Sequence, residues 1–403
     1  MKKREIPFSP PDITDLEVEE IAAALRSGWI TTGPRTRELE RRLAAYVGTK
    51  RCICLNSQTA CAEMALRLME IGPGDEVITT PYTYTATAAV ICHVGAKPVF
   101  VDTKPDRLEM DEDRLAAAIT ERTKAIIPVE VGGVPCNYDR LLEIVEAKRP
   151  LFRPSGKLQA ALGRVAIIAD SAHALGAQWH GRMLGSVADF TSFSFHAVKN
   201  MTTAEGGALM WREIPGVDSD AVYQRLQLMS LHGQSKDALA KSRMGEWEYD
   251  IIGPWYKCNM TDIAAAMGLM QFERYPAMLA RREEIIRRYD AVLRPLGVKT
   301  LAHYTEDYRS SGHLYITRVP GISPEERREI IYRMADLGVS CNVHFKPLPM
   351  MTAYRDMGFD IADFPNAYAQ FANEITLPLH TCLSDEDVEY VLACYSGIVK
   401  EYI

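Results

Sequence analysis

The feature that most constrains this chain is a repeated alternation of short apolar strands with helix-length segments, running from about Arg51 to Phe195. RCICL at Arg51–Leu55 is followed by a helical stretch over Ala60–Glu70, and GPGDEVITT supplies a turn and a second strand. A helix over Tyr84–His93 then precedes a strand over Lys97–Asp102, and a helix over Met110–Ile119 precedes one over Ala125–Val129. A helix over Tyr138–Ala147 leads to the strand VAIIAD, Val165–Asp170, and to another over Phe190–Phe195. Strands joined by crossovers of this length pair in parallel, with helices on both faces of the sheet. Strands covered on both faces run continuously apolar instead of alternating, as these do. The expected class is therefore α/β, with a mostly parallel central sheet flanked by helices.

The segments around this rhythm extend it. Asp15–Ser27 has helical periodicity, an acidic first turn and Gly28 after it; Arg35–Val47 reads as a second amphipathic helix ending before Gly48. From about Met260 a long helical stretch, through Arg281 to Val292, leads away from the sheet, and Gly297–Ile403 mixes strands and helices. A chain of 403 residues is long for one core, so the expected division is a large domain over residues 1–270 and a smaller α+β domain over residues 271–403. Lys148–Gly163, with two prolines, two glycines and four basic residues, interrupts the rhythm and reads as a surface excursion.

Charge and cysteine usage exclude several classes of function. The formal net charge is −7 with both signs interspersed, which argues against a broad nucleic-acid footprint. No apolar run is long enough to cross a bilayer, and the N-terminal MKKREIPFSPPDI meets prolines where a signal peptide has its apolar core; a cytoplasmic protein is expected. Nine scattered cysteines without paired C-x-x-C sets read as free thiols and not as metal ligands or disulfides, with Cys52 and Cys54 pointing the same way from one strand.

Ligands of open parallel sheets gather beyond the carboxyl ends of the strands, so the residues there test function. They are Asn56-Ser57-Gln58-Thr59, Tyr82-Thr83-Tyr84, Glu130, Asp170 to His173, and Ser192 to Lys199. Taken singly, most have plain readings. Ser57 and Thr59 suit a helix cap as well as an anion site at a helix N-terminus, the aromatic rings suit core packing, Glu130 reads as a solvated loop charge, and Asp170 suits a cap. Lys199 is less ordinary: it sits on an apolar-flanked turn at a sheet mouth, five residues after Ser194, and burial there would lower its pKa towards that of a nucleophilic amine. Together the set matches what pyridoxal phosphate needs: a helix N-terminus and hydroxyls for the phosphate, an aromatic lid, a carboxylate for the pyridine nitrogen and a lysine for the aldehyde. A nicotinamide-binding rival would need G-x-G-x-x-G after the first strand, where this chain has NSQTAC.

With those residues in view, the sequence resembles the DegT/DnrJ/EryC1/StrS family of pyridoxal-phosphate-dependent sugar aminotransferases, which have the aspartate aminotransferase fold (fold type I). The resemblance runs from SGWITTGPRTRELE at Ser27 through GPGDEVITTPYTYTATA, GAKPVFVD, DSAHALGA, SFSFHAVKNMTTAEGGA and NMTDIAAAMG to LPLHTCLSDEDV at Leu377. It implies that Lys199 is the Schiff-base lysine and proton shuttle, that Asp170 pairs with the pyridine nitrogen, that His173 sits beside the phenolic oxygen and that Tyr84 stacks on the ring. It assigns the phosphate to Ser57, Gln58, Thr59 and Ser194, and the substrate's surroundings to Thr32 and His344. The chain departs from the family at Glu130, where a histidine is usual, and at Trp255–Asn259. There the family's asparagine reaches the cofactor phosphate of the other subunit, a contact that Lys257 could make as a cation. A branch that dehydrates sugars has histidine in place of the lysine; Lys199 favours transamination. The resemblance implies a homodimer with its site at the interface, glutamate or glutamine as donor, and a nucleotide-linked keto-sugar as acceptor, most similar to those aminated at C4. A 3-keto sugar or an inosose as acceptor, and a non-catalytic regulator on the same fold, are the alternatives.

Overall fold

The computed structural model describes residues 3–235 and 248–403. Its strands, in chain order, are β1 (Cys52–Leu55), β2 (Glu76–Thr79), β3 (Lys97–Phe100), β4 (Thr123–Ile127), β5 (Ala166–Asp170), a hairpin of β6 (Gln178–Trp179) and β7 (Arg182–Met183), β8 (Phe190–Ser194) and β9 (Gly207–Trp211). The C-terminal part adds β10 (Lys299–Thr300), β11 (Tyr308–Arg309), β12 (Tyr315–Arg318) and β13 (Glu374–Leu377).

Seven strands form the central sheet in the order β1-β9-β8-β5-β4-β2-β3. From β8 to β3 every pairing is parallel, and β9 alone runs against both its neighbours. Strands β1, β2, β4, β5 and β9 are buried at every position, as expected of runs covered on both faces. The topology brings the carboxyl ends of β1, β2, β4, β5 and β8 to one edge. There β9 also begins, at Gly206-Gly207.

Two local features hold the sheet in register, one at each edge. A Cβ on Gly207 would lie 2.5 Å from the backbone N of Gln58 and 2.6 Å from the carbonyl carbon of Ser57, so only glycine lets β9 press against the turn after β1. At the opposite edge the buried Arg164 makes a two-pronged bridge to Asp189, at 2.8 and 2.9 Å. Asp189 also accepts the N–H of Ile167 at 2.8 Å, which pins the entry of β5 to that of β8.

The long helix Asp262–Leu293 links the two cores. Its first residue, Asp262, is buried and accepts the backbone N–H groups of Gly33, Arg35 and Thr36 at 2.8, 3.0 and 2.9 Å, tying the start of helix Pro34–Val47 to its own. Ala265, Leu269, Tyr275 and Met278 pack with Leu39, Leu43 and Phe193 beside the large sheet. Ile285, Ile286, Tyr289 and Leu293 pack with Ile330, Val339 and Val391 in the smaller core, around the sheet β10-β12-β13.

The segment expected to be a surface excursion is built into the molecule. Within it Lys157–Leu162 forms a helix, Phe152 and Leu162 are buried, and the buried Gln159 donates to the carbonyl of Met69 at 2.6 Å. Its basic and proline-rich composition hid three inward-facing residues spaced among polar ones. All nine cysteines are free thiols; Cys52 and Cys54 point into the same core cluster. Among the described residues no helix is long and apolar enough to cross a membrane.

Candidate active site

A cavity of about 440 Å³ opens at the carboxyl edge of the sheet, between it and residues His313, Leu314, Asn342, His344 and Phe345 of the C-terminal part. Ser57, Gln58, Thr59, Tyr84, Glu130, Asp170, His173, Ser194, Lys199 and His344 all line it, so ten of the residues singled out in the sequence meet in one place. Thr32 and Lys257 do not line it. They are linked through Asn259 instead: its amide donates to Thr32 Oγ1 at 2.5 Å, Lys257 Nζ donates to its Oδ1, and Thr32 Oγ1 donates to the carbonyl of Met260 at 2.6 Å.

At one end of the cavity the helix Gln58–Leu68 points its N-terminus inward, with Ser57 as its cap; Ser57 Oγ accepts the N–H of Ala60 at 3.0 Å. The capping role and a position on the cavity coexist. Gln58 is buried, and its amide donates to Ser192 Oγ at 2.9 Å, which fastens this turn to β8.

In the middle lies Asp170, the last residue of β5. Burial pushes its pKa up, against the hydrogen bonds of Thr87 Oγ1 at 2.7 Å and the N–H of Ala172 at 3.2 Å and against the charge of Lys199. Thr87 Oγ1 also pairs with Thr83 Oγ1 at 2.8 Å. Lys199 follows a turn in which its N–H donates to the carbonyl of His196 at 2.9 Å. Desolvation brings its amine down to about 8, and nearby Asp170 limits the fall.

Three imidazoles stand around these groups. His173 Nδ1 accepts the N–H of Gly132 at 3.2 Å, which leaves the ring proton on Nε2. The ring of His313 lies 4.3 Å from that of His173, and His313 Nδ1 faces Asn200 Oδ1 at 2.9 Å. The amide of Asn200 is oriented by its donation to the carbonyl of Ser311 at 2.8 Å, so His313 donates from Nδ1. Burial lowers the pKa of His173, His313 and His344 alike, and the positive charge of Lys199 adds to this at each. Tyr84 is 64 % exposed on the rim, its ring 6.4 Å from that of Phe345.

Glu130 differs from the sequence expectation. It is no solvated loop charge: it is 1 % exposed, accepts the Ser171 hydroxyl at 2.7 Å and also accepts that of Tyr138. Burial raises its pKa to about 8, and the neighbouring Asp170 adds to the rise. Two hydroxyl donors, one on the next helix and one beyond the end of β5, make its burial tolerable.

Comparisons with known proteins identify the family. Residues 11–396 match the model of the DegT/DnrJ/EryC1/StrS aminotransferase family. The chain belongs to that family. It is 38% identical over 402 residues to the spore coat polysaccharide biosynthesis protein SpsC of Bacillus subtilis, covering 98% of this chain and 97% of that protein. Among solved structures it is similar to "Putative sugar aminotransferase Spr1654" from Streptococcus pneumoniae in its PMP-form, with 56% identity, a TM-score of 0.97 and coverage of 99% of this chain and 100% of that one. The PLP-form of the same protein matches with 55% identity and a TM-score of 0.96, again over 99% of this chain and 100% of that one. Helicobacter pylori PseC, an aminotransferase involved in the biosynthesis of pseudoaminic acid, matches at 27% identity with a TM-score of 0.86, over 99% and 100% of the two chains.

The enzyme is thus a pyridoxal-phosphate-dependent sugar aminotransferase of fold type I. The donor set fits that cofactor: one amine, one carboxylate buried beside it, and a helix N-terminus whose turn only Gly207 allows β9 to approach. Several supporting residues escaped the sequence reading. Thr87 is one: it lies in the first turn of the helix Thr85–His93, four residues after Thr83, and its hydroxyl meets both Thr83 Oγ1 and Asp170. His313, Asn200 and Ser311 carried no local signal, because their contact joins segments more than a hundred residues apart.

Proposed function

We propose that this enzyme moves an amino group from glutamate, or glutamine, to a keto-sugar carried by a nucleotide, at C4 of the sugar. The observation that carries the chemistry is the meeting of Lys199 and Asp170 in one cavity beside the helix N-terminus of Gln58–Leu68. The likeness to Spr1654 and PseC supports a sugar as acceptor.

When bound, pyridoxal phosphate supplies an aldehyde to carry the amino group and an electron-withdrawing ring to spread the charge left by proton removal. The protein does the rest. Lys199 would be the amine that holds that aldehyde and the base that moves a proton at the reacting carbon. Asp170, held by Thr87 and Ala172, would pair with the cofactor's ring nitrogen and hold a proton there. His173, whose ring proton is on Nε2, would stand beside the cofactor's phenolic oxygen, Tyr84 would stack on its ring, and Ser57, Gln58, Thr59 and Ser194 would hold its phosphate. Glu130 and His344 face the substrate side of the cavity.

Thr32, Asn259 and Lys257 complete the site from a second subunit in this reading. They cluster with one another off the cavity of their own chain, and exposed apolar side chains stand on the same N-terminal region and near Lys257: Leu16, Val18, Leu25, Ile251 and Ile252.

Purified enzyme treated with borohydride should carry the cofactor covalently on Lys199, and Lys199→Ala should lose that adduct; an adduct of unchanged yield in the variant sinks the assignment. A panel of nucleotide-linked 4-keto and 3-keto sugars, incubated with enzyme and glutamate and read by mass, should show a keto group replaced by an amine on a 4-keto member. Reaction only with 3-keto members or an inosose overturns the C4 reading.

A further inference from the structure

Glu374 stands on β13, fully buried, with both carboxyl oxygens engaged. Its Oε2 accepts the backbone N–H of His344 at 2.9 Å, and its Oε1 meets Thr376 Oγ1 at 2.5 Å. Thr376 Oγ1 in turn lies 3.0 Å from His344 Nδ1. His344 lines the cavity, and its Nε2 has no protein partner among the described residues. The Tyr82 hydroxyl donates to the carbonyl of His344 at 2.9 Å, and Phe8 stacks on the imidazole at 5.5 Å, so the ring is fixed. The chemistry assigned above uses neither Glu374 nor Thr376.

A threonine hydroxyl has one proton and cannot donate in both directions at once. With Glu374 ionised, Thr376 donates to Glu374 and accepts from His344 Nδ1–H, so Nε2 offers a lone pair to the cavity. With Glu374 protonated, Glu374 donates to Thr376, Thr376 donates to Nδ1, and the ring proton is on Nε2. The two forms differ by one proton in total, and the imidazole is neutral in both.

We propose that Glu374, Thr376 and His344 form a proton relay ending at His344 Nε2 in the cavity, which makes that nitrogen an acceptor or a donor according to the protonation of Glu374. A proton entering at Nε2 forms an N–H bond there. The Nδ1–H bond breaks as its proton passes to Thr376 Oγ1, and the proton of Thr376 passes to Glu374 Oε1. Glu374 and Thr376 are positioning residues, and only His344 faces a ligand.

The surroundings suit a proton resting on Glu374. Burial raises its pKa to about 8, against the hydrogen bonds of Thr376 and the His344 N–H and the charge of Arg327 on helix Pro324–Asp336. Arg318, its pairing partner on β12, and Tyr82, Cys341 and Tyr395 are the other titratable groups around it. Burial brings His344 down to about 4, helped by Lys199, with His173 and His313 also nearby, so the ring itself stays neutral. On the sugar reading proposed above, Nε2 meets a sugar hydroxyl, which it can bind in either sense, and the relay lets it return a proton during the amine transfer.

The test is the protonation of the His344 ring nitrogens in protein labelled with 15N-histidine, with and without cofactor, from about pH 6 to about pH 9. Expected is a signal for Nε2–H at the acid end, replaced by Nδ1–H as Glu374 ionises, centred near pH 8. In Glu374→Gln and in Thr376→Val the exchange should vanish, whereas Thr376→Ser should restore it. A His344 tautomer that does not change with pH in the unsubstituted protein overturns the relay, as does an exchange that survives Thr376→Val. Because the readout needs no substrate and no folded Glu374 variant, failure of the sugar reading would leave its result intact.

Discussion

At the scale of the residue, the site works through burial of charge. Lys199 in water would hold its proton far above neutrality; in the cavity desolvation disfavours the ammonium and brings it to about 8. The sign of the consequence is fixed: the free amine is the minor form below that pH and the major form above it. Capture of added pyridoxal phosphate by cofactor-free enzyme, followed by absorbance, should therefore accelerate about tenfold per pH unit on the acid side and level off above about pH 8. A rate still climbing at pH 10 would show that Lys199 titrates as an ordinary surface lysine. Removing Asp170's partner acts on the same pair: Thr87→Val takes one donor from a buried carboxylate, a loss of roughly 1–3 kcal/mol. Its pKa should rise further, and the Lys199 amine, losing part of its counter-charge, should titrate at a lower pH in the same capture experiment.

At the scale of the element, the carboxyl edge is set by which strands run together and how closely β9 approaches the turn after β1. Gly207→Ala would place a methyl group 2.5 Å from a backbone nitrogen, and no side-chain movement can relieve that contact. The expected outcome is a destabilisation of roughly 1–3 kcal/mol in thermal melting, together with cofactor affinity lowered at least about tenfold, since the displaced turn is the one that holds Ser57 and Thr59. Unchanged cofactor affinity in a folded Gly207→Ala protein would detach that turn from phosphate binding. This edge is also where the sequence was most legible. The apolar runs at Arg51, Val165 and Phe190 can pack only as covered strands, and polar residues at their ends follow from topology. Glu130 was not legible, because its partner Tyr138 sits on the next helix and Ser171 on another strand end, and nothing in VEVGG signals either. Gln159 was hidden likewise, as one inward residue in a stretch dominated by lysine, arginine and proline.

At the scale of the whole molecule, the long helix Asp262–Leu293 runs from one core to the other, and the cavity is lined both by Asp170 and Lys199 at the carboxyl edge of the large sheet and by His313 and His344 from the C-terminal part of the chain. Lys257, Asn259 and Thr32 are joined to each other and do not line the cavity of their own chain, whereas the resemblance places Trp255–Asn259 against the cofactor phosphate of a second subunit and Thr32 near the substrate. If that arrangement holds, cofactor retention and subunit association are linked, because a ligand that binds only the dimer stabilises it by mass action. Sedimentation should show a dimer, and dilution should release pyridoxal phosphate in step with the appearance of monomer. Lys257→Ala should weaken retention by about tenfold, the worth of one exposed charge-assisted contact to phosphate, without altering the Lys199 spectrum of the loaded enzyme. A protein that sediments as a monomer while keeping its cofactor and full activity would return the whole site to one chain and leave the Thr32–Asn259–Lys257 cluster a purely local tie.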